Sequence, residues 1–358
     1  MTPPTFSLTA QTTTQYDAVL QARDTCREAR LYVPVLIVCL LGVYIVARPQ
    51  GVLLLTHILW GLTMLGWVPV AIGFAMKQKN LFFSRWLAAL PVKREKADNI
   101  LTFITILLPV MDEAEMMPQL AAAMARLDYP SDRLDCMVLL EAPDRRTPLG
   151  AIKTHWPDFC RLITVPHGSP QTKARACNYA LRLARGDLLV IFDAEDQPHP
   201  LQLREAVRQF TRHDEKLACL QAPLRILPKQ GDWLENQFAL EYGLLFNFIL
   251  PCLGRANGAL PLGGSSNYFR LSALRAVGGW DDYNLTEDAD LGMRLAQAGY
   301  RIDTLHLPTY ENAPHKALIW HRQRTRWLSG HVQTLHTQAR PSHSSKSHLW
   351  LRLSCAAI

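Results

Sequence analysis

Two short acidic clusters hold the most chemistry in this 358-residue chain. The first, Asp193-Ala194-Glu195-Asp196, follows directly on the apolar run from Leu188 to Phe192. In an extended segment Asp193 and Glu195 point to the same side, so two carboxylates one residue apart can share a hard divalent cation instead of repelling each other. A diphosphate could bridge the same cation. An ordinary solvated turn has this composition too, and it is the position after an apolar strand that favours the metal. The second cluster, Leu285-Thr286-Glu287-Asp288-Ala289-Asp290-Leu291, opens a helical pattern with acids in its first turn. Exposed amides there favour negative charge with or without any activity.

Two further segments could serve a ligand. Gly263-Gly264-Ser265-Ser266-Asn267 offers small residues and hydroxyls, which let backbone approach a sugar or phosphate closely. His321-Arg322-Gln323-Arg324-Thr325-Arg326-Trp327 brings cations and an indole, suited either to phosphate and sugar stacking or to a membrane-surface helix.

The elements that must position these residues are legible from periodicity. From Asp98 onward, short apolar runs alternate with helical segments, the pattern of a mostly parallel sheet. Strands are expected at Thr102 to Leu108, Asp135 to Leu140, Arg161 to Val165 and Asp187 to Phe192, and helices at Glu115 to Ala125, Thr172 to Ala184 and Leu201 to Gln209. Pro118 and Pro200 sit near helix starts, where a missing amide costs little. The result is an open α/β sheet with polar residues at strand ends, where ligands normally bind. Trp233 to Leu250 carries Phe238, Tyr242, Phe246 and Phe248, enough aromatic surface to rest on a bilayer or to pack in a core.

Upstream the composition changes. Tyr32 to Ala47 contains no charge, and Gly51 to Met76 has only His57 as a titratable group. The two runs are joined by a short turn at Arg48-Pro49-Gln50 and read as a transmembrane helical hairpin over residues 31–76. Arg23, Arg27 and Arg30 precede it, while Lys77, Lys79, Arg85, Lys93, Arg94 and Lys96 follow it, so the positive-inside tendency puts both flanks in the cytoplasm. Residues 1–30 are then a cytoplasmic N-terminal segment. Residues 77–97 form a basic linker that either lies in the headgroup layer or is a plain helix.

At 49% hydrophobic and 19% charged, the chain is not of the disordered class. The eight cysteines form no CxxC pair and no zinc spacing, so reduced, mostly buried thiols are expected. The net charge of +7 suits several anionic partners. Its residues gather near the hairpin and at 321–327 without a continuous stripe or recognised motif, which argues against nucleic acid.

Taken in order, Pro109-Val110-Met111-Asp112-Glu113, Thr172 to Ala180, Asp193 to Asp196, Gly263 to Asn267, Thr286 to Asp290 and Gln323 to Trp327 resemble the family 2 glycosyltransferases. The resemblance is to their membrane-bound branch, which includes bacterial cellulose synthase catalytic subunits and exopolysaccharide synthases. It implies a GT-A nucleotide-sugar-binding domain over residues 98–333, with an open mixed sheet, preceded by the two-helix hairpin. The implied reaction is metal-dependent, inverting hexosyl transfer from a nucleotide-sugar, taken as a UDP-sugar, to a growing polysaccharide. Single-sugar transfer to a lipid or other acceptor, and a non-catalytic scaffold in a synthase complex, are the alternatives.

By the same resemblance, Asp288 is the general base that takes the acceptor hydroxyl proton. Asp193, Glu195 and Asp196 are the residues for Mg2+ or Mn2+, with glutamate in place of the usual second aspartate. Pro109, Glu113, Glu141, Asp144, Lys173 and Asp193 are assigned to the donor pocket, and Gln323, Arg324, Arg326 and Trp327 to the diphosphate and acceptor end. The expected location is the inner or cell membrane, multi-pass, with the catalytic domain cytoplasmic and with glycan or lipid-linked acceptors and other synthase subunits as partners. Residues 334–358, a short atypical tail, lack the further membrane helices of processive relatives, so a C-terminal truncation, a shifted reading frame or a degenerate copy is expected, with a genuine short protein as the alternative.

Overall fold

The computed structural model describes residues 102–226, 233–255, 259–314 and 316–338. The expected N-terminal segment, hairpin and basic linker, and the tail after residue 338, lie outside the described residues. No helix among the described residues is long and apolar enough to cross a membrane.

The strands in chain order are β1 (Ile104–Val110), β2 (Leu134–Glu141), β3 (Cys160–Val165), β4 (Leu188–Ile191), β5 (Gln197–Pro198), β6 (Leu217–Gln221), β7 (Leu224–Ile226), β8 (Asn267–Arg270), β9 (Arg301–Thr304) and β10 (Thr309–Glu311). The α-helices are α1 (Met117–Ala125), α2 (Arg146–Lys153), α3 (Lys173–Leu181), α4 (Gln202–Arg212), α5 (Trp233–Leu244), α6 (Leu250–Arg255), α7 (Leu271–Ala276), α8 (Glu287–Gln297) and α9 (Ala317–Gln338), with a π-turn at Leu245–Ile249 between α5 and α6.

Seven strands form one open sheet in the order β3-β2-β1-β4-β8-β6-β9. β1, β2, β3 and β4 run parallel, and β8 is antiparallel to both β4 and β6, which makes the sheet mixed. A second, three-stranded sheet of order β5-β10-β7 is laid out with β10 antiparallel to β5 and parallel to β7.

The parallel strands are apolar on both faces because helices cover both. Leu107, Met137, Leu139, Leu189 and Ile191 pack on the side of α3, with Cys177, Ala180 and Phe269. Ile106, Leu108, Val138, Leu140 and Val190 alternate to the other side, against Leu120 and Met124 of α1 and Ala206 and Phe210 of α4. Cys136, Cys177 and Cys219 are free and buried in these cores, as the cysteine spacing led one to expect. The expected first helix begins later, at Met117, because Ala114–Met116 form a 3-10 turn before it. Phe238, Tyr242 and Phe246 are buried, which resolves these three aromatic residues of the 233–250 segment to core packing. A Cβ at Gly330 of α9 would come within 2.5 Å of Thr286 Cγ2, so only glycine lets α9 lie against the start of α8.

Candidate functional site at the ends of β1, β4 and α8

β4 ends at Ile191, and Asp193 to Asp196 form a tight turn in which the Asp196 amide donates to the Asp193 carbonyl at 3.1 Å. This corrects the extended geometry expected for the cluster. A turn does not alternate side chains across a strand, so the acids part company. Asp193 is half-buried and Glu195 exposed, whereas Asp196 is wholly buried. Oδ2 of Asp196 accepts from the Asp193 amide at 2.8 Å and from Ser265 Oγ at 2.5 Å, while its Oδ1 is buried without a hydrogen-bond partner.

Lys173, first residue of α3, donates from Nζ to Asp193 Oδ1 at 2.5 Å and also to the Gly264 carbonyl. Three elements therefore meet at one ammonium: the start of α3, the turn after β4 and the glycine-serine loop before β8. Burial opposes its charge, but Asp193, Asp288 and Glu287 outweigh burial and hold the ammonium protonated well above the usual lysine range.

Asp288 lies in the first turn of α8 and is buried, with Trp280 Nε1 donating to its Oδ1 at 3.2 Å. A Cβ on Gly264 would lie 3.9 Å from Asp288 Oδ2, which puts this carboxylate beside the same loop. Helix-start electrostatics alone would leave it in solvent. Burial, then the neighbouring Glu287 charge, push the Asp288 carboxyl well above the ordinary aspartate range, with Lys173 acting in the opposite direction.

The other donor-pocket candidates divide by what they already hold. Pro109 occupies the C-terminal half of β1, opposite Leu139 of β2. Glu113 follows β1 at the donor end; burial first, and the Asp193 charge after it, raise its carboxyl, against a lowering hydrogen bond from the Met111 backbone. Glu141 closes β2, is buried, and accepts from Arg175 at 2.7 Å through Oε2, leaving Oε1 without a partner. Asp144 is spent on the main chain: Oδ2 accepts from the Asp112 amide at 2.7 Å, and Oδ1 from the Arg146 and Thr147 amides at 2.9 and 3.1 Å. That arrangement starts α2 and steadies Asp112 at φ 57°, a left-handed conformation costly for a non-glycine residue.

The Gln323 to Trp327 motif lies on α9 and is largely engaged within the protein. Arg324 forms two bonds of 2.6 Å to Glu241 of α5, and its guanidinium lies 4.9 Å from the Phe238 ring centre and 4.6 Å from that of Trp327. Trp327 packs beside Tyr242 and Phe238, at centroid distances of 6.5 and 6.4 Å. The free guanidinium and free indole face expected for phosphate and sugar are thus both covered here. Arg326 is exposed and reaches the Leu285 carbonyl at 3.4 Å, and Gln323 has a buried Oε1 without a partner.

Residues 188–358 match the family described as Glycosyl transferase family group 2. Over that stretch the sequence is similar to family 2 glycosyltransferases. It is 29% identical over 236 residues to the probable glycosyltransferase YdaM of Bacillus subtilis, covering 63% of this chain and 54% of that protein. It is 27% identical over 246 residues to the beta-monoglucosyldiacylglycerol synthase of Trichormus variabilis, covering 67% of this chain and 51% of the relative. The matched stretch thus spans about half the length of both relatives. Among solved structures, the mannosyltransferase PcManGT from Pyrobaculum calidifontis, in complex with GDP-Man and Mn2+, superposes with a TM-score of 0.57 at 21% identity over 80% of this chain and 78% of that one. The described residues accordingly have a GT-A-like α/β fold with an open mixed sheet.

The acidic end of this domain fits a hard divalent cation. Its donors are carboxylate oxygens, and its negative charge exceeds what Lys173 neutralises. Glu195 is pushed up to about 7, first by the protein packed around its carboxyl and then by the Asp193 and Glu113 charges. Among the described residues no three His, Cys, Asp or Glu side chains converge on one metal position. Asp193 and Glu195 could hold such an ion only in company with diphosphate oxygens and water, the usual pattern for Mg2+ at phosphates.

Sequence reasoning missed Glu311. The register pairs Thr309 with Pro198 and Tyr310 with Gln197, which brings Glu311, next along β10, near Asp196, the residue just before β5. Burial first, then the charges of Asp196, Asp193 and Glu195, raise its carboxyl far above the usual range. Nothing near Glu311 in sequence signals this, because the pairing of β5 with β10 creates it. Glu241 and Trp280 were missed for the same reason: each acts on a motif residue through packing across elements.

Proposed function

We propose that this domain transfers a hexose from a nucleoside-diphosphate sugar to a glycan or lipid-linked acceptor, with inversion at the anomeric carbon. The observation that carries the reading is the convergence of Lys173, Asp193 and Gly264 at one point, with Asp288 beside it. In this reading Asp193 and Glu195 hold Mg2+ or Mn2+, which when bound offsets charge on the departing diphosphate. Lys173 adds a fixed positive charge at the same place. Asp288 takes the proton from the acceptor hydroxyl as that oxygen bonds to C1, and the C1–O electron pair leaves with the nucleoside diphosphate. A buried carboxyl with a raised pKa suits this task, since a base must hold the proton it accepts. The Trp280 bond to Oδ1 leaves Oδ2 as the oxygen for the acceptor.

We assign the enzyme to the cell membrane with this domain cytoplasmic, on the basis of the apolar runs before residue 77 and their basic flanks. Polysaccharide extension rests on the order of the sequence motifs, Gln323 to Trp327 included, although Arg324 and Trp327 are engaged within the fold; a lipid acceptor is the second reading, favoured by the similarity to a beta-monoglucosyldiacylglycerol synthase. Membranes containing the full chain, supplied with labelled UDP- and GDP-sugars and Mn2+ or Mg2+, should yield labelled product that a chelator abolishes. Sizing the product separates polymer from glycolipid. Asp288→Asn should lower kcat by roughly 10²–10⁴-fold, the range for loss of a general base; a stable variant with normal turnover removes Asp288 from that role. Neither transfer nor donor binding with any sugar would leave the scaffold reading.

A further inference from the structure

We propose that Asp196 is a positioning residue: with Ser265 it fixes the main chain of Asp193, and a buried line of hydroxyls anchors that fixture in the core. The inference rests on the donor-site reading of Asp193 and deepens it.

The fixture begins at Asp196 Oδ2, which receives both the Asp193 amide and Ser265 Oγ. Ser265 Oγ lies 3.3 Å from Ser266 Oγ, which donates to Thr309 Oγ1 at 2.6 Å. Gln202 Nε2 of α4 donates to Thr309 Oγ1 at 3.1 Å, and the Tyr268 hydroxyl donates to Gln202 Oε1 at 2.7 Å. The line joins the turn after β4 to β10, α4 and β8, and each of these six side chains is at most 1% exposed. A buried polar network rigidifies what it holds where its members are satisfied, and among the six side chains of this line only Asp196 Oδ1 lacks a hydrogen-bond partner. Ser266 makes the connection possible. At φ 58° its amide bonds the Ile191 carbonyl at 2.8 Å, its carbonyl accepts from Ala222 at 3.0 Å, and its side chain turns toward Thr309.

Two consequences distinguish this from a ligand role for Asp196. Its Oδ2 already accepts two bonds, and its Oδ1, which has no hydrogen-bond partner, is shut away from solvent with the rest of the side chain while Asp193 is not. Loosening the turn would move the Asp193 carboxylate relative to Lys173 and Gly264, so Ser265 should govern how tightly the donor's cation is held.

The test uses the full chain in detergent. Hydrogen exchange across residues 189–197 without nucleotide reports the fixture, and Mn2+ titration by electron paramagnetic resonance, with UDP or GDP present, reports its consequence. Ser265→Ala should speed exchange at the Asp193 amide about tenfold or more while β1 is unchanged, the signature of local opening. It should also weaken Mn2+ binding by about three- to tenfold. Asp196→Ala should do at least as much, and Asp196→Asn, which keeps an acceptor oxygen, should recover most of the loss. If Asp196→Asn damages Mn2+ binding as severely as Asp193→Asn while Ser265→Ala is silent, Asp196 is a ligand and the proposal fails. An unchanged, slow Asp193 amide in Ser265→Ala overturns it equally. Should the wild type bind no Mn2+ with either nucleotide, the donor-site reading falls, and the exchange result alone decides the fixture.

Discussion

Two charged regions of this domain, the acidic end of β4 and the basic face of α9, are used in opposite ways. At the end of β4, one lysine faces more negative charge than it can neutralise: Asp193, Glu195, Glu113, Asp288 and Glu311 crowd together, and burial with mutual repulsion raises the last four. At the α5–α9 contact the balance closes. Arg324 is matched by Glu241 through two bonds of 2.6 Å and covered by the Phe238, Trp320 and Trp327 rings. Surplus charge at a strand end is available to a ligand; a cation already paired and stacked is available chiefly to the fold.

The contrast is broken most directly at its acidic pole. Asp193→Asn should reduce metal-dependent transfer by roughly a hundredfold or more, since it removes the carboxylate charge that serves both the cation and Lys173. Near-normal transfer with Mn2+ would mean the surplus charge is idle.

Lys173→Met should cost about ten- to a hundredfold in kcat/KM, the scale of losing a charge-stabilising donor. It carries a pH signature with a fixed sign. Lys173 lowers the Asp288 carboxyl, so its removal raises that pKa. A base must be deprotonated to work, so the acid limb of the rate profile should move to higher pH. An acid limb that stays put separates Lys173 from Asp288.

Glu195 gives a milder effect. A cation needs the ionised carboxylate, so nucleotide-dependent Mn2+ affinity should climb as pH rises toward about 7 and level off above it. Glu195→Gln should flatten the slope. For the unliganded fold the sign reverses: the folded state keeps a proton that the unfolded chain loses above 4.5, so this group favours folding less as pH rises from 4.5 to about 7.

The smallest effect is expected at the balanced pole. Glu241 is about half exposed, so an Arg324→Ala, Glu241→Ala cycle should give a coupling of only about 1 kcal/mol, a shift of roughly 2–4 °C in Tm for the single variants. Arg324→Lys should not recover it, because a lysine cannot make the paired bonds or stack between rings. A large rise in donor KM with unaltered Tm would erase the distinction between the two poles.

Much of the scaffold was legible because its signals are local. The run from Ile104 to Val110 and its three parallel partners stand where apolar periodicity puts them, displaced by one or two residues at their ends. The acidic turn and the Asp288 helix start were also visible as motifs. What could not be read was orientation. Asp193 and Glu195 looked like alternate positions of a strand, yet β4 stops at Ile191 and the chain turns, sending Asp196 inward to Ser265. Arg324 looked like a phosphate ligand because its partner, Glu241, lies 83 positions away.

The sequence by itself determined the alternation of strands and helices, the order of the motifs and the types of charge each carries, since these depend on near neighbours and on spacing. The tertiary structure alone decided which charges remain unbalanced. That depends on contacts between distant elements: β5 against β10 brings Glu311 near Asp196, α3 brings Lys173 to Asp193, and α5 against α9 pairs Arg324 with Glu241. A charge acts through whatever lies within a few ångströms of it, and only the folded chain fixes that surrounding.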